Sequence, residues 1–239
     1  PASWGALDRT RFSVGALYEG FNSDDGLTTA YYGKTNFNGL ILSLPISPMN
    51  GIVTTLGITP YSKVNYNIKD AQSQEGFDYF VNYLGEGGIA VGHLGSSFRL
   101  GSSIYLGAKL NYYFGTVTQT ITQSLSIATQ SGSTVVRTSS LHGIGMTFGT
   151  TFAGLGGLLG LPESHSLNIA AVFSNTTWLK LRDERVQNYS TNLITISPYD
   201  TAVAPESKIP LPWSIAVGAA YTTDRLLVTV DYQFQQWSI

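Results

Sequence analysis

The chain has 239 residues and a formal net charge of −2, and only 12% of its residues are charged. Soluble domains carry about 25% charged residues, so the low value favours a protein whose surface faces lipid, with a soluble β-sandwich as the alternative. The charge balance shows no basic excess for nucleic acid, and the absence of cysteine excludes disulfides and thiolate metal sites.

Period-two alternation of apolar and polar residues, the pattern of β-strands, recurs along the chain. In 103–115, Ile104, Leu106 and Leu110 share one parity, whereas Lys109 and Asn111 share the other. The pattern predicts nine strands, with approximate spans of 10–22, 35–46, 51–69, 78–98, 103–126, 134–154, 165–188, 211–222 and 226–239.

Short and long connections alternate between these strands, as in outer-membrane β-barrels. The short turns lie near 47–50, 100–102 and 222–225. The long polar loops are predicted at 23–34, 70–77, 127–133 and 187–211. The longest apolar stretch, 153–162, is too short for a spanning helix, which needs about 20 apolar residues. An all-β, antiparallel transmembrane barrel is therefore the predicted fold.

Several segments resemble the FadL/TodX family of outer-membrane transporters for hydrophobic compounds. They are Pro-Ala-Ser at 1–3, the segments 8–14, 57–64 and 88–101, the strand–turn–strand unit of 211–232, and Trp-Ser at 237–238. The resemblance implies a barrel of about fourteen strands with an N-terminal hatch. Residues 1–239 are then expected to form a single outer-membrane barrel domain that lacks the hatch and the C-terminal strands.

Candidate site residues follow from the strand faces and from one proline. The lumen-facing candidates are Lys109, Asn111, Tyr113, Asp231, Gln233 and Gln235. They could pass an amphipathic ligand, or they could satisfy one another and hold a hatch. Pro60 cannot donate a ladder hydrogen bond, so Gly57 and Pro60 are predicted to mark a strand kink, which is either a lateral exit or a simple bulge.

The resemblance implies a bacterial outer-membrane channel for passive uptake of hydrophobic compounds such as long-chain fatty acids. Two alternatives are a non-transporting barrel subunit or scaffold of a larger envelope complex, and a general porin. The expected partners are the lipid bilayer, a hydrophobic small molecule and other envelope proteins, without nucleic acid. No catalytic motif, metal site or cofactor site is found in the sequence, so no enzymatic activity is expected.

Overall fold

A computed structural model describes residues 1–24, 29–74, 77–125, 132–162, 164–191 and 194–237. These residues form one antiparallel sheet of twelve strands, which confirms the all-β class. The strands are β1 (Arg11–Asp24), β2 (Thr29–Ser47), β3 (Ile52–Gln74), β4 (Phe77–Leu100), β5 (Ile104–Leu125), β6 (Gly132–Phe152), β7 (Ser166–Ser174), β8 (Thr177–Thr191), β9 (Ile194–Val203), β10 (Ser207–Leu211), β11 (Ser214–Thr222) and β12 (Leu227–Gln235).

Helical structure is limited to three short segments of the described chain. Two are 3-10 helices, Ala2–Ala6 and Pro48–Asn50, and the third is the four-residue helix α1 (Leu155–Leu158). Among the described residues, none of the helices reaches the length and apolarity that a membrane span requires.

Twelve strands replace the nine predicted ones because one predicted strand is interrupted and two more, β9 and β10, lie where a loop was predicted. β7 and β8 together cover the predicted strand at 165–188. Both pair with β6, and the register changes by one residue between the β6–β7 pair Thr147–Ser174 and the β6–β8 pair His142–Lys180. One extra residue on one strand is a β-bulge. β10 and β11 flank Pro212 and keep a common register against β8 and β7.

The prediction of a long loop at 187–211 is wrong, because the end of β8 and all of β9 and β10 lie there. β9 pairs with β8, so the chain continues as a hairpin where a loop was expected. Strands also extend into the loops predicted at 23–34, 70–77 and 127–133. The central parts of those three loops, 25–28, 75–76 and 126–131, lie outside the described residues.

The main path of the sheet runs β1-β2-β3-β4-β5-β6-β7-β11-β12. Within the described residues β1 pairs with β2 alone and β12 pairs with β11 alone, so the two ends of the sheet do not meet. A closed barrel of fourteen strands stays a prediction.

Cross-strand register sorts the side chains onto two faces that differ sharply in polarity. The polar face contains a row of paired residues that crosses nine strands: Arg11, Ser43, Thr55, Gly95, Lys109, Thr147, Ser174, Ser214 and Gln235. The neighbouring row on the apolar face consists of Phe12, Leu42, Leu56, Leu94, Leu110 and Met146.

Burial on these faces is the reverse of that in a water-soluble domain. On the polar face Ser43, Thr55 and Thr147 are at most 4% exposed, whereas on the apolar face Phe12 is 63% and Leu94 is 56% exposed. Soluble proteins bury such large apolar side chains. On β5 the apolar parity runs from Ile104 to Phe114 and is followed by threonines, and a membrane strand needs about 9–11 residues. The apolar face therefore has the height of a lipid-facing band.

Met146 tests this band because it lies on the apolar face of β6, where it pairs with Leu110 of β5. Met146→Lys should lower the free energy of unfolding in phospholipid vesicles by about 2–4 kcal/mol, as expected for lysine facing the acyl chains. The matched control is Ser140→Lys, which has the same parity on β6 but lies above the band. Urea titration of both variants gives the values, and equal stabilities would show that lipid does not cover this face.

Candidate functional site

The first six residues cover the polar face where β3, β4, β5 and β6 lie side by side. The Trp4 indole stacks on the His93 imidazole, with ring centroids 6.1 Å apart and planes inclined by 16°. Ala2 is buried, and the amide of Leu7 donates to the carbonyl oxygen of Trp4 over 2.9 Å. The N-terminal segment is thus packed on the sheet rather than extended away from it.

Glycines on β5 and β6 make room for this segment. A Cβ built on Gly107 would lie 2.6 Å from the carbonyl carbon of Pro1, and one on Gly149 would lie 2.9 Å from the Pro1 Cδ. Both distances are shorter than van der Waals contact allows, so a side chain at either position would exclude the segment. The two glycines form a cradle for the residues Pro1 and Ala2.

Hydrogen bonds link the polar side chains beneath and beside the segment. The Asn111 amide donates to the Thr147 hydroxyl over 2.9 Å, and this hydroxyl lies 3.0 Å from the Ser174 hydroxyl. On the other side of the segment, the Thr55 hydroxyl donates to Ser43 over 3.2 Å. These buried groups therefore satisfy one another, as buried polar side chains in native proteins do.

The six lumen-facing candidates fall into two groups on the same face. Lys109, Asn111 and Tyr113 lie on β5, where Asn111 is buried and Tyr113 makes an edge-to-face contact with Tyr61 at 5.2 Å. Asp231, Gln233 and Gln235 lie on β12, and three strands separate β12 from β5 in the order of the sheet. The row of paired residues that joins Lys109 to Gln235 puts both groups on the polar face, but no direct contact connects them in the described residues.

The two kink candidates have different local roles. Pro60 pairs with Ala90 and directly precedes a bulge in β3, where the register against β4 shifts between Pro60 and Ser62. Gly57 leaves space for its cross-strand neighbour, since an added Cβ would lie 2.8 Å from the His93 ring. Gly57 thus allows His93 to lie flat under Trp4, a packing role that the sequence did not suggest.

β2 and β3 separate at this bulge. They pair from Ser47–Ile52 to Leu40–Ile58, and although residues 29–74 are all described, β2 beyond Leu40 pairs only with β1 and β3 beyond Ile58 pairs only with β4. The result is a cleft between the β1–β2 hairpin and β3. We call it the β2–β3 cleft.

A third polar cluster lies above the apolar band, where β5, β6 and β8 extend toward their hairpin ends. The Arg137 guanidinium contacts the Asp183 carboxylate at 2.5 Å, and Ser139 donates a second hydrogen bond. These hydrogen bonds, from Ser139 and then Arg137, hold the pKa of Asp183 below its usual value. The pair lines a cavity of about 530 Å³ with Arg185 and several apolar side chains.

Sequence reasoning missed the N-terminal packing, the β2–β3 cleft and the Arg137–Asp183 pair. Each is formed by residues far apart in the chain, so period-two alternation carries no signal for it. The one available signal was Pro60, which marked the foot of the cleft. In the described part of the chain no group of three or more His, Cys, Asp or Glu side chains could hold a metal ion.

Comparison with known proteins decides the family. The model of the BamG family matches residues 1–239, the whole sequence. The chain belongs to the BamG family. Searches of curated proteins and of solved structures found no match.

Membership in the BamG family corrects three expectations of the sequence analysis. The resemblance to FadL/TodX transporters is wrong, because BamG is a distinct family. The fatty-acid uptake channel and the general porin lose their support with it. The BamG match associates the chain with the outer membrane and with other envelope proteins.

The glycine cradle predicts that one methyl group displaces the N-terminal segment. Gly107→Ala should free this segment, because its Cβ would overlap the backbone of Pro1 and Ala2. The chain lacks cysteine, so a single Ala2→Cys reports on the segment through its rate of maleimide labelling. Ala2 is buried, and we expect labelling to be slow until Gly107→Ala is added.

Gly92→Ala is the matched control for this prediction, because no heavy atom lies closer than 3.8 Å to its added Cβ. It should leave the labelling rate unchanged. A Gly107→Ala protein that labels as slowly as the parent would show that Pro1 and Ala2 do not occupy the cradle.

Proposed function

We propose that this BamG-family protein is a non-enzymatic, non-transporting β-barrel subunit of the outer membrane that associates with the BAM machinery. The observation that carries the proposal is the family match over all 239 residues. On this proposal the chain spans the bilayer through its apolar band and contributes a scaffold surface to a larger envelope complex.

The arrangement of the polar face supports a scaffold better than a conduit. Asn111, Thr147 and Ser174 bond to one another, and the Trp4–His93 stack covers the face beside them. A transport path needs polar groups that can exchange partners with a passing ligand, whereas these groups already have partners within the sheet. Holding a short segment in place is a sufficient role for them.

The apolar band supports insertion into a bilayer. In the row from Phe12 to Met146 on the apolar face, every large apolar side chain except that of Leu42 is 41–63% exposed. An exposed apolar surface of this extent marks a membrane or protein interface. A lipid environment requires every backbone group to be paired, and β4 and β5 meet that requirement because each pairs on both sides over most of its length.

Affinity purification from native outer membranes tests the association with the BAM machinery. The full-length protein, tagged and extracted in a mild uncharged detergent, should retain BAM components in fixed ratio through size-exclusion chromatography. The control is an unrelated outer-membrane barrel of the same cell, tagged and expressed at the same level. Recovery of the BamG-family protein alone, or equal recovery of BAM components with the control, would overturn the proposal.

A further inference from the structure

The β2–β3 cleft presents two strand edges that have no backbone partner across it. Residues 29–39 of β2 and 59–69 of β3 form strand pairs on their far side only. An exposed strand edge carries a row of unused N–H and C=O groups and is a template for another strand. Extended peptides bind other proteins by adding to edges of this kind.

The foot of the cleft is built to keep the two strands apart. Gly39 has φ +126°, which disfavours other residues, and a Cβ there would lie 2.9 Å from the Thr59 side chain. Pro60 follows and has no N–H to offer to β2. A bulge in β2 at Asn38, where the register changes between the pairs Gly15–Gly39 and Ala16–Phe37, and the bulge in β3 between Pro60 and Ser62 lie at the same level. Direct pairing of β2 with β3 therefore stops here for local reasons.

The walls of the cleft mix apolar and polar side chains and carry more positive than negative charge. The lower part, of about 740 Å³, is lined by Glu19, Lys34, Asn36 and Lys63, and the upper part, of about 710 Å³, by Lys34 and Lys69 among others. Asn36 donates to Glu19 over 3.0 Å and accepts a hydrogen bond from Lys63. Three lysines and one carboxylate thus line the two parts of the cleft, and the carboxylate already has a partner in Asn36.

We propose that the β2–β3 cleft binds an extended acidic polypeptide segment by strand addition. Backbone hydrogen bonds to the free edges of β2 and β3 supply a register, and Lys34, Lys63 and Lys69 select acidic side chains. This inference deepens the proposed function. That the bound segment belongs to another envelope protein rests on the proposed function. The binding itself depends on the cleft alone.

Peptide binding to the purified protein in uncharged detergent micelles tests the proposal. The probe is a fluorescein-labelled peptide of about eight residues in which glutamate alternates with valine or threonine, a length typical of strands. The control peptides are the same sequence with lysine in place of glutamate, and two versions of the acidic peptide with backbone N-methyl groups at the odd or at the even positions. Fluorescence anisotropy should show saturable binding of the acidic peptide and loss of binding for at least one N-methylated version.

Charge variants locate the binding. The triple variant Lys34→Gln, Lys63→Gln, Lys69→Gln should lower the affinity for the acidic peptide by about ten-fold or more. Added salt should lower this affinity as well. Lys208→Gln is the matched control, because Lys208 is exposed on β10 outside the cleft, and it should leave affinity unchanged. Glutamine at position 63 can still donate to Asn36, so the cleft itself should persist.

Several results would overturn the inference. They are equal binding of acidic and basic peptides, indifference to N-methylation, an effect of Lys208→Gln equal to that of the triple variant, or lysine dependence seen only with anionic phospholipid vesicles. The outcome is separable from that of the proposed function. Peptide binding without retained BAM components would support the peptide-binding cleft and overturn the BAM association. Retained BAM components without peptide binding would support the BAM association and overturn the peptide-binding cleft.

Discussion

The register of one continuous sheet is the constraint on which the rest of this structure depends. Side chains alternate between faces with a period of two, so a slip of one residue in any strand would move its apolar set to the polar face. The row from Arg11 to Gln235 keeps polar or glycine residues on one face across nine strands. Both the apolar band and the polar surface on which the N-terminal segment packs follow from that alignment.

The polar face is occupied rather than open because of what this row contains. Small side chains such as Ser43, Thr55 and Thr147 allow neighbouring hydroxyls to meet, and Gly95 and Gly107 remove side chains altogether. The space freed by the glycines accepts the backbone of Pro1–Ala2 and the ring of Trp4. Packing of a short segment against a polar sheet thus replaces the apolar core that a soluble domain would have.

Sequence reasoning located the strands and their faces, because both depend on local alternation. The segment 103–126 is an example: its predicted span matches β5, and its parities match the two faces. Reasoning failed at 187–211, where Pro198, Pro205 and Pro210 and many polar residues hid two strands that pair with β8. Their pairing depends on a partner strand and not on their own composition. The FadL/TodX resemblance failed for a related reason, since its short motifs describe strands and turns that a barrel wall requires whatever its function.

Several irregular positions of the sheet lie at one level of one side. The bulges of β2 and β3, Gly39 with φ +126°, and Gly87 and Gly88 with φ +112° and +152° all lie near the foot of the β2–β3 cleft or just above it. A β-bulge bends its strand and increases the local twist, so bulges in both hairpins turn the two strand pairs away from each other. β4 and β5 stay in unbroken register through the same level. The cleft therefore lies between two irregular hairpins and beside a regular part of the sheet. Several positions on both hairpins, and not Pro60 alone, produce it.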